Sequence, residues 1–262
     1  MSGPNSISVD KLSKLFGTPN APLIIDVRLH EDFELDPRYL PTAKRVVHSE
    51  VTTVVASSAI VVCQRGAKLS HGAAALLRLR GVNAVSLDGG FEAWRDAKLP
   101  LVPATALKSR WVTRHRPKID RIACPWLIRR FVEADAEFLF VPPEHVDGVA
   151  ERFGATAFDM PTGFWTHEGE RCTFDKMLTE FGLETEALLR LARIVRAADT
   201  GNLDLEPEAA GLLAISLGLS RQYSDDLEQL AAGLTIYDAL YRWCRDATDE
   251  THNWSAPKKI SL

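Results

Sequence analysis

The chain has little cysteine: four residues in 262, at Cys63, Cys124, Cys172 and Cys244. Their wide spacing excludes a disulfide framework and a paired-cysteine metal motif, and it fits a reducing compartment. Long apolar runs are also missing. None approaches the roughly twenty residues needed to cross a bilayer, and Met1 to Ser8 lacks the basic and hydrophobic parts of a secretory signal. A cytoplasmic protein with no membrane partner is expected. Positive charge is not in excess: the net charge of −4 excludes a chain that binds nucleic acid through its overall field, while leaving room for a local basic patch. No internal repeat or low-complexity tract is found. What is present, 46% hydrophobic and 25% charged residues over this length, can build an ordinary core and is most naturally divided in two.

The first hundred residues alternate short apolar strands, near 23–27, 45–48, 59–63 and 84–87, with helical stretches. Such alternation predicts a parallel sheet with flanking helices and chemistry at the carboxyl ends of its strands. Pro100, Pro103 and Ser109 mark the end of this unit, giving domains at 1–104 and 105–248 and a polar tail at 249–262. The second unit opens with extended segments near 111–116 and 138–141 around an amphipathic helix at 125–133. It then becomes mainly helical, with apolar residues at three- and four-residue spacing over 183–198, 206–219 and 224–245. An α+β domain dominated by helices is expected. Tyr237, Tyr241 and Trp243 fall on the last helix and read as core.

Cys63 ends an apolar, β-branched run, and Gln64, Arg65, Gly66, Ala67 and Lys68 lead from it into a helix. A thiol at a strand-to-helix turn meets free backbone N–H groups and the positive end of a helix dipole, both of which favour thiolate. Arg65 and Lys68 add positive charge. The alternative is an inert cysteine buried at a strand end. Residues 8–104 resemble the rhodanese family of single-domain sulfurtransferases. The resemblance is carried by Leu23-Ile24-Ile25-Asp26-Val27-Arg28, by Asp32-Phe33, by the Cys63 loop and by the closing run from Leu87-Asp88-Gly89-Gly90 through Trp94 to Leu101. Two departures stand out: Arg38-Tyr39-Leu40-Pro41-Thr42-Ala43 is a degenerate version of a family stretch, and Leu69 occupies a position where a hydroxyl is usual. The resemblance implies that Cys63 becomes a persulfide and hands sulfur on, with no cofactor required. Asp26 would orient a basic side chain or the loop, while Arg28, Arg65, Lys68 and Gly66 would help hold a small anionic sulfur donor such as thiosulfate.

The run from Lys118-Ile119-Asp120-Arg121 through Cys124-Pro125-Trp126 to Phe131 resembles the opening motif of the ChrB-type chromate-resistance domain of bacteria. Phe158-Asp159, His167, Gly169-Glu170-Arg171-Cys172-Thr173-Phe174, Arg196-Ala197-Ala198-Asp199-Thr200-Gly201, Leu217-Gly218-Leu219-Ser220 and Tyr237-Asp238-Ala239-Leu240 follow in order. The resemblance covers about 110–245 and implies a role in chromate resistance, as an accessory enzyme or as a chromate-responsive DNA-binding regulator.

Pro125 is favoured in the first turn of a helix, which would put Cys124 near unpaired N–H groups. With Lys118 and Arg121 beside it, Cys124 could face an oxyanion or reduce a bound oxidant, or it could simply pack. Asp159, His167, Glu170, Cys172 and Asp199 offer ligands suited to Zn, Fe or Mn, and Asp120 could complete the set or orient the histidine. A charged surface turn is the plainer account. The basic run Lys108, Arg110, Arg114, Arg116, Lys118 and Arg121, interleaved with Trp111 and His115, could contact phosphates, but no helix-turn-helix signature accompanies it. An interdomain surface or anion site is therefore expected in preference to DNA.

Overall fold

The computed structural model describes residues 4–250; the tail expected at 249–262 lies, from residue 251 onward, outside the described residues. The amino-terminal half runs β1 (Ser6–Ile7), α1 (Val9–Ser13), β2 (Leu23–Asp26), α2 (His30–Leu35), β3 (Arg38–Tyr39), β4 (Lys44–Arg45), β5 (Ser58–Val62), α3 (Lys68–Leu79), β6 (Asn83–Leu87), α4 (Gly90–Asp96) and β7 (Val102–Pro103). Five strands form one sheet in the order β1-β6-β5-β2-β4, every pairing parallel. A separate antiparallel pair, β3 with β7, closes one end.

Strand alternation divides the apolar side chains between two faces. Ile25, Val27, Ala59 and Val61 pack under Ala73, Ala74 and Leu77 of α3. On the other face, Ile24, Ile60, Val62 and Leu87 pack with Leu12, Phe16, Phe91 and Trp94. Because the central strands are covered on both sides, they read in the sequence as continuous apolar runs.

The carboxy-terminal half contains β8 (Arg110–Arg114), α5 (Asp120–Leu127), β9 (Glu137–Val141), α6 (Val146–Phe153), β10 (Thr156–Ala157), α7 (Thr173–Glu180), α8 (Glu186–Thr200), α9 (Ala209–Gln222) and α10 (Asp226–Asp246). Its three strands form a small parallel sheet, β10-β8-β9, beside the packed helices α5, α7, α8, α9 and α10. The helix expected to begin at Pro125 starts instead at Asp120, and a π-helical turn, Ile128–Val132, continues it. Pro125 sits inside α5, so Cys124 is mid-helix and faces no free N–H groups of a first turn.

The two halves share one hydrophobic core. Phe16 meets Trp94 edge-on at 5.2 Å, and the same cluster continues through Trp126, Phe131, Tyr237 and Tyr241. Polar contacts cross the same seam: Thr42 N–H donates to the Phe131 carbonyl at 3.2 Å, Arg245 Nη1 to the Lys14 and Phe16 carbonyls at 3.3 and 3.1 Å, and Lys44 pairs with Asp135. Among the described residues, no helix is long and apolar enough to cross a membrane.

Candidate functional site: a cysteine loop and a histidine–carboxylate cluster

β5 delivers Cys63 to the loop that precedes α3. The Ala67 N–H points at its Sγ at 3.3 Å, and the Ser70 hydroxyl lies 3.1 Å from the same sulfur. Ser70 supplies a hydroxyl one position after Leu69, so the departure at Leu69 does not leave the sulfur without one. The loop is held by two glycines with φ of +61°, Gly66 and Gly90. A Cβ on Gly66 would come within 2.5 Å of the Gly89 nitrogen and the Leu87 oxygen, and one on Gly90 would collide with the Cys63 carbonyl. Phe91 N–H donates to that carbonyl at 3.0 Å, locking the closing signature to the cysteine.

Arg65 and Lys68 are exposed on this loop; Arg65 stands 3.5 Å from Glu92. Arg28 is different. Its side chain is buried, forked onto Asp26, donating to the Asp36 and Arg38 carbonyls and stacked 3.8 Å from the centre of the Phe91 ring. The expectation that Arg28 holds an anionic donor is therefore corrected: its donors are engaged inside the fold, and Asp26 is the carboxylate that keeps it there. Ser70→Ala should lower kcat/KM for sulfur transfer about tenfold, the value of one hydrogen bond to a charged sulfur. Steady-state thiocyanate assays would measure it, and an unchanged kcat/KM would show that the Ser70 hydroxyl does not act on the reacting sulfur.

In the second half, three segments converge on His167. Asp120 opens α5 after Ile119, whose φ of +34° is unusual for a β-branched residue. Its carboxylate accepts the Thr173 and Phe174 N–H groups at 2.7 and 3.0 Å, thereby capping α7. Asp159, at φ +50°, lies in the loop after β10, and Asp199 lies in the last turn of α8. His167 Nε2 is 3.5 Å from Asp120 Oδ2, 3.4 Å from Asp159 Oδ1 and 3.3 Å from Asp199 Oδ2. Asp159 also binds Arg114 at 2.9 Å and Arg121 at 3.2 Å.

The carboxylates raise the His167 pKa to about 10, Asp120 most strongly and Asp159 next. Burial, followed by Asp120 and Asp159, raises Asp199 to about 7.

Asp120, His167 and Asp199 present ligand atoms that all lie within 4.8 Å of one another. Two residues expected as ligands are not part of that convergence. Glu170 is exposed beside the Glu168–Arg171 bridge, and Cys172 is buried at the start of α7 with its sulfur 3.4 Å from Asp175. Cys124 is wholly buried, its Sγ 3.5 Å from Asp120. Burial first and Asp120 second push both thiols well above their ordinary pKa. Cys124 is thus a neutral packing thiol, not the low-pKa thiol expected at an oxyanion site. Lys118 is half-buried, and Arg121 donates to the Arg114 and His115 carbonyls.

Much of the basic run is engaged internally: Arg110 with Glu137, Arg114 and Arg121 with Asp159, and Arg116 with the Ser220 and Tyr223 carbonyls. Sequence reading missed the Trp126–Asp238–Arg130 network, in which Asp238 accepts from Trp126 Nε1 at 2.8 Å and from Arg130 Nε at 2.7 Å. The i, i+4 spacing of Trp126 and Arg130 was the available signal.

Residues 111–244 match the ChrB C-terminal domain family over half of the chain. The chain belongs to that family. Ahead of the ChrB C-terminal domain, residues 8–97 match the rhodanese-like domain family. Protein ChrB of Cupriavidus metallidurans is 34% identical over 151 residues, 57% of this chain and 42% of that protein, so the match spans less than half of its relative. Among solved structures, the rhodanese-like half is similar to a rhodanese-related protein from Thermoplasma volcanium, at 25% identity and a TM-score of 0.33 over 37% of this chain and 97% of that one. A thiosulfate sulfurtransferase from Pseudomonas aeruginosa is 23% identical, with a TM-score of 0.33 over 39% of this chain and 20% of that one.

Proposed function

We propose that this protein is a sulfurtransferase serving chromate resistance, with Cys63 as its sulfur carrier. The observation that carries the reading is the pairing of the Ala67 N–H and the Ser70 hydroxyl on one sulfur, at 3.3 and 3.1 Å, where β5 passes into α3. The Ala67 N–H donates to the sulfur, and the Ser70 hydroxyl, which accepts from the thiol and donates to the Ala67 carbonyl at 3.1 Å, can turn toward an anion; together they stabilise a thiolate and then a persulfide anion. Arg65 and Lys68, exposed beside it, attract an anionic donor.

With thiosulfate, the Cys63 thiolate attacks the outer sulfur. A new S–S bond forms, and sulfite leaves with the electron pair of the bond that breaks. A nucleophilic acceptor, cyanide in the assay, then takes the outer sulfur and returns Cys63 as thiolate. Membership in the ChrB C-terminal domain family and the identity to Protein ChrB support chromate resistance as the setting.

The test is intact-protein mass spectrometry after incubation with thiosulfate, followed by peptide mapping. The expected result is a gain of one sulfur atom on the Cys63 peptide that cyanide removes. A persulfide absent from that peptide, with the protein folded, counts against the reading.

A further inference from the structure

The histidine–carboxylate cluster lies outside the sulfur reaction, and its spacing has its own meaning. One Nε2–H donates along one direction, yet three carboxylate oxygens stand 3.3, 3.4 and 3.5 Å from that nitrogen. All three distances exceed the roughly 2.7–2.9 Å of a charge-assisted N–H···O bond. The two shorter ones match a different geometry, and the 3.5 Å to Asp120 lies just beyond it. Two ligands each about 2.1 Å from a common cation, at tetrahedral or octahedral angles, are separated by about 3.0–3.4 Å.

The oxygens come from three separate parts of the chain, and two of them, those of Asp120 and Asp159, are oriented from outside the cluster. Thr173 N–H fixes Asp120, Arg114 and Arg121 fix Asp159, and the last turn of α8 carries Asp199. Outer partners of this kind hold metal ligands in place. His167 is 39% exposed, which leaves a solvent-facing side for water or a further ligand.

We propose that Asp120, His167 and Asp199, with Asp159 beside them, bind one divalent first-row cation. One imidazole among carboxylates is a mainly hard donor set, which suits Mn²⁺ best and accommodates Zn²⁺. The two nearby thiols lie outside the set, and the site rests on none of the chemistry at Cys63.

The experiment is a Mn²⁺ titration of the full chain, stripped of metal, followed by loss of the free-ion electron paramagnetic resonance signal and repeated in competition with Zn²⁺. Wild type should take up one ion per chain. His167→Gln and Asp199→Asn should each weaken binding at least tenfold while keeping the wild-type far-ultraviolet circular dichroism. Glu170→Gln, at an exposed position, should bind as wild type does, and so should Cys63→Ser, which separates this outcome from the fate of the sulfur reading. Failure of the folded wild type to bind either ion, whatever the variants do, would overturn the proposal. Unweakened binding in both His167→Gln and Asp199→Asn would overturn it too.

Discussion

A Cys63→Ser variant is expected to form thiocyanate from thiosulfate and cyanide at the rate of buffer, a loss of at least about a thousandfold. Serine is nearly isosteric and can bond with Ser70, so the loop should keep its shape. What disappears is the nucleophile. A hydroxyl in this place has no base beside it: the neighbours of the sulfur are an amide N–H, the Ser70 hydroxyl and the Ala67 carbonyl. Sulfur is the far stronger nucleophile, and an alcohol without a base to activate it does not replace it. Residual turnover above a tenth of wild type would mean that the sulfur passes through another group. A matched melting curve for the variant would exclude unfolding as the cause.

Gly90→Ala is expected to have the largest effect on stability. The residue sits at φ +61°, and a methyl group there would meet the Cys63 carbonyl oxygen and the Gly66 nitrogen, both of them backbone atoms that cannot rotate aside. Strain of the αL region and overpacking together should cost about 3 kcal/mol or more. For a chain of this length, that lowers Tm on the order of 10 °C. Relief must come from moving the Cys63–Gly66 loop, so activity should fall further than the melting curve alone explains. Gly72→Ala, in α3 with open space around the added atom, is the comparison and should be neutral or stabilising. Equal Tm values for the two variants would show that the loop gives way easily.

The contrast between what could and could not be read from the chain has a physical origin. The strands near Cys63 were legible because burial on both faces leaves continuous apolar runs, and the three late helices because their faces repeat at helical spacing. The start of α5 was not: Pro125 has the usual signature of a first turn, whereas the true start follows Ile119, which offers no capping side chain. Arg28 looked like an anion ligand because sequence shows its neighbours in the chain and not the Phe91 ring on which it stacks. Glu170 and His167 are three residues apart and both exposed, yet only the histidine reaches the carboxylates. Asp120 meets the helix it caps across more than fifty residues of chain, through a contact no periodicity announces.

The seam between the two halves has a consequence for how this chain can be divided. Phe16 and Trp94 belong to the rhodanese-like part, Phe131 and Tyr241 to the ChrB-type part, and all four lie in one apolar cluster. Cutting the chain at residue 104 would leave each piece with an open aromatic face, a recipe for aggregation. The intact chain should melt in one cooperative step by calorimetry, and two resolved transitions would refute this. Where two families meet along the chain is thus no break in its interior: neither part closes its aromatic face without the other.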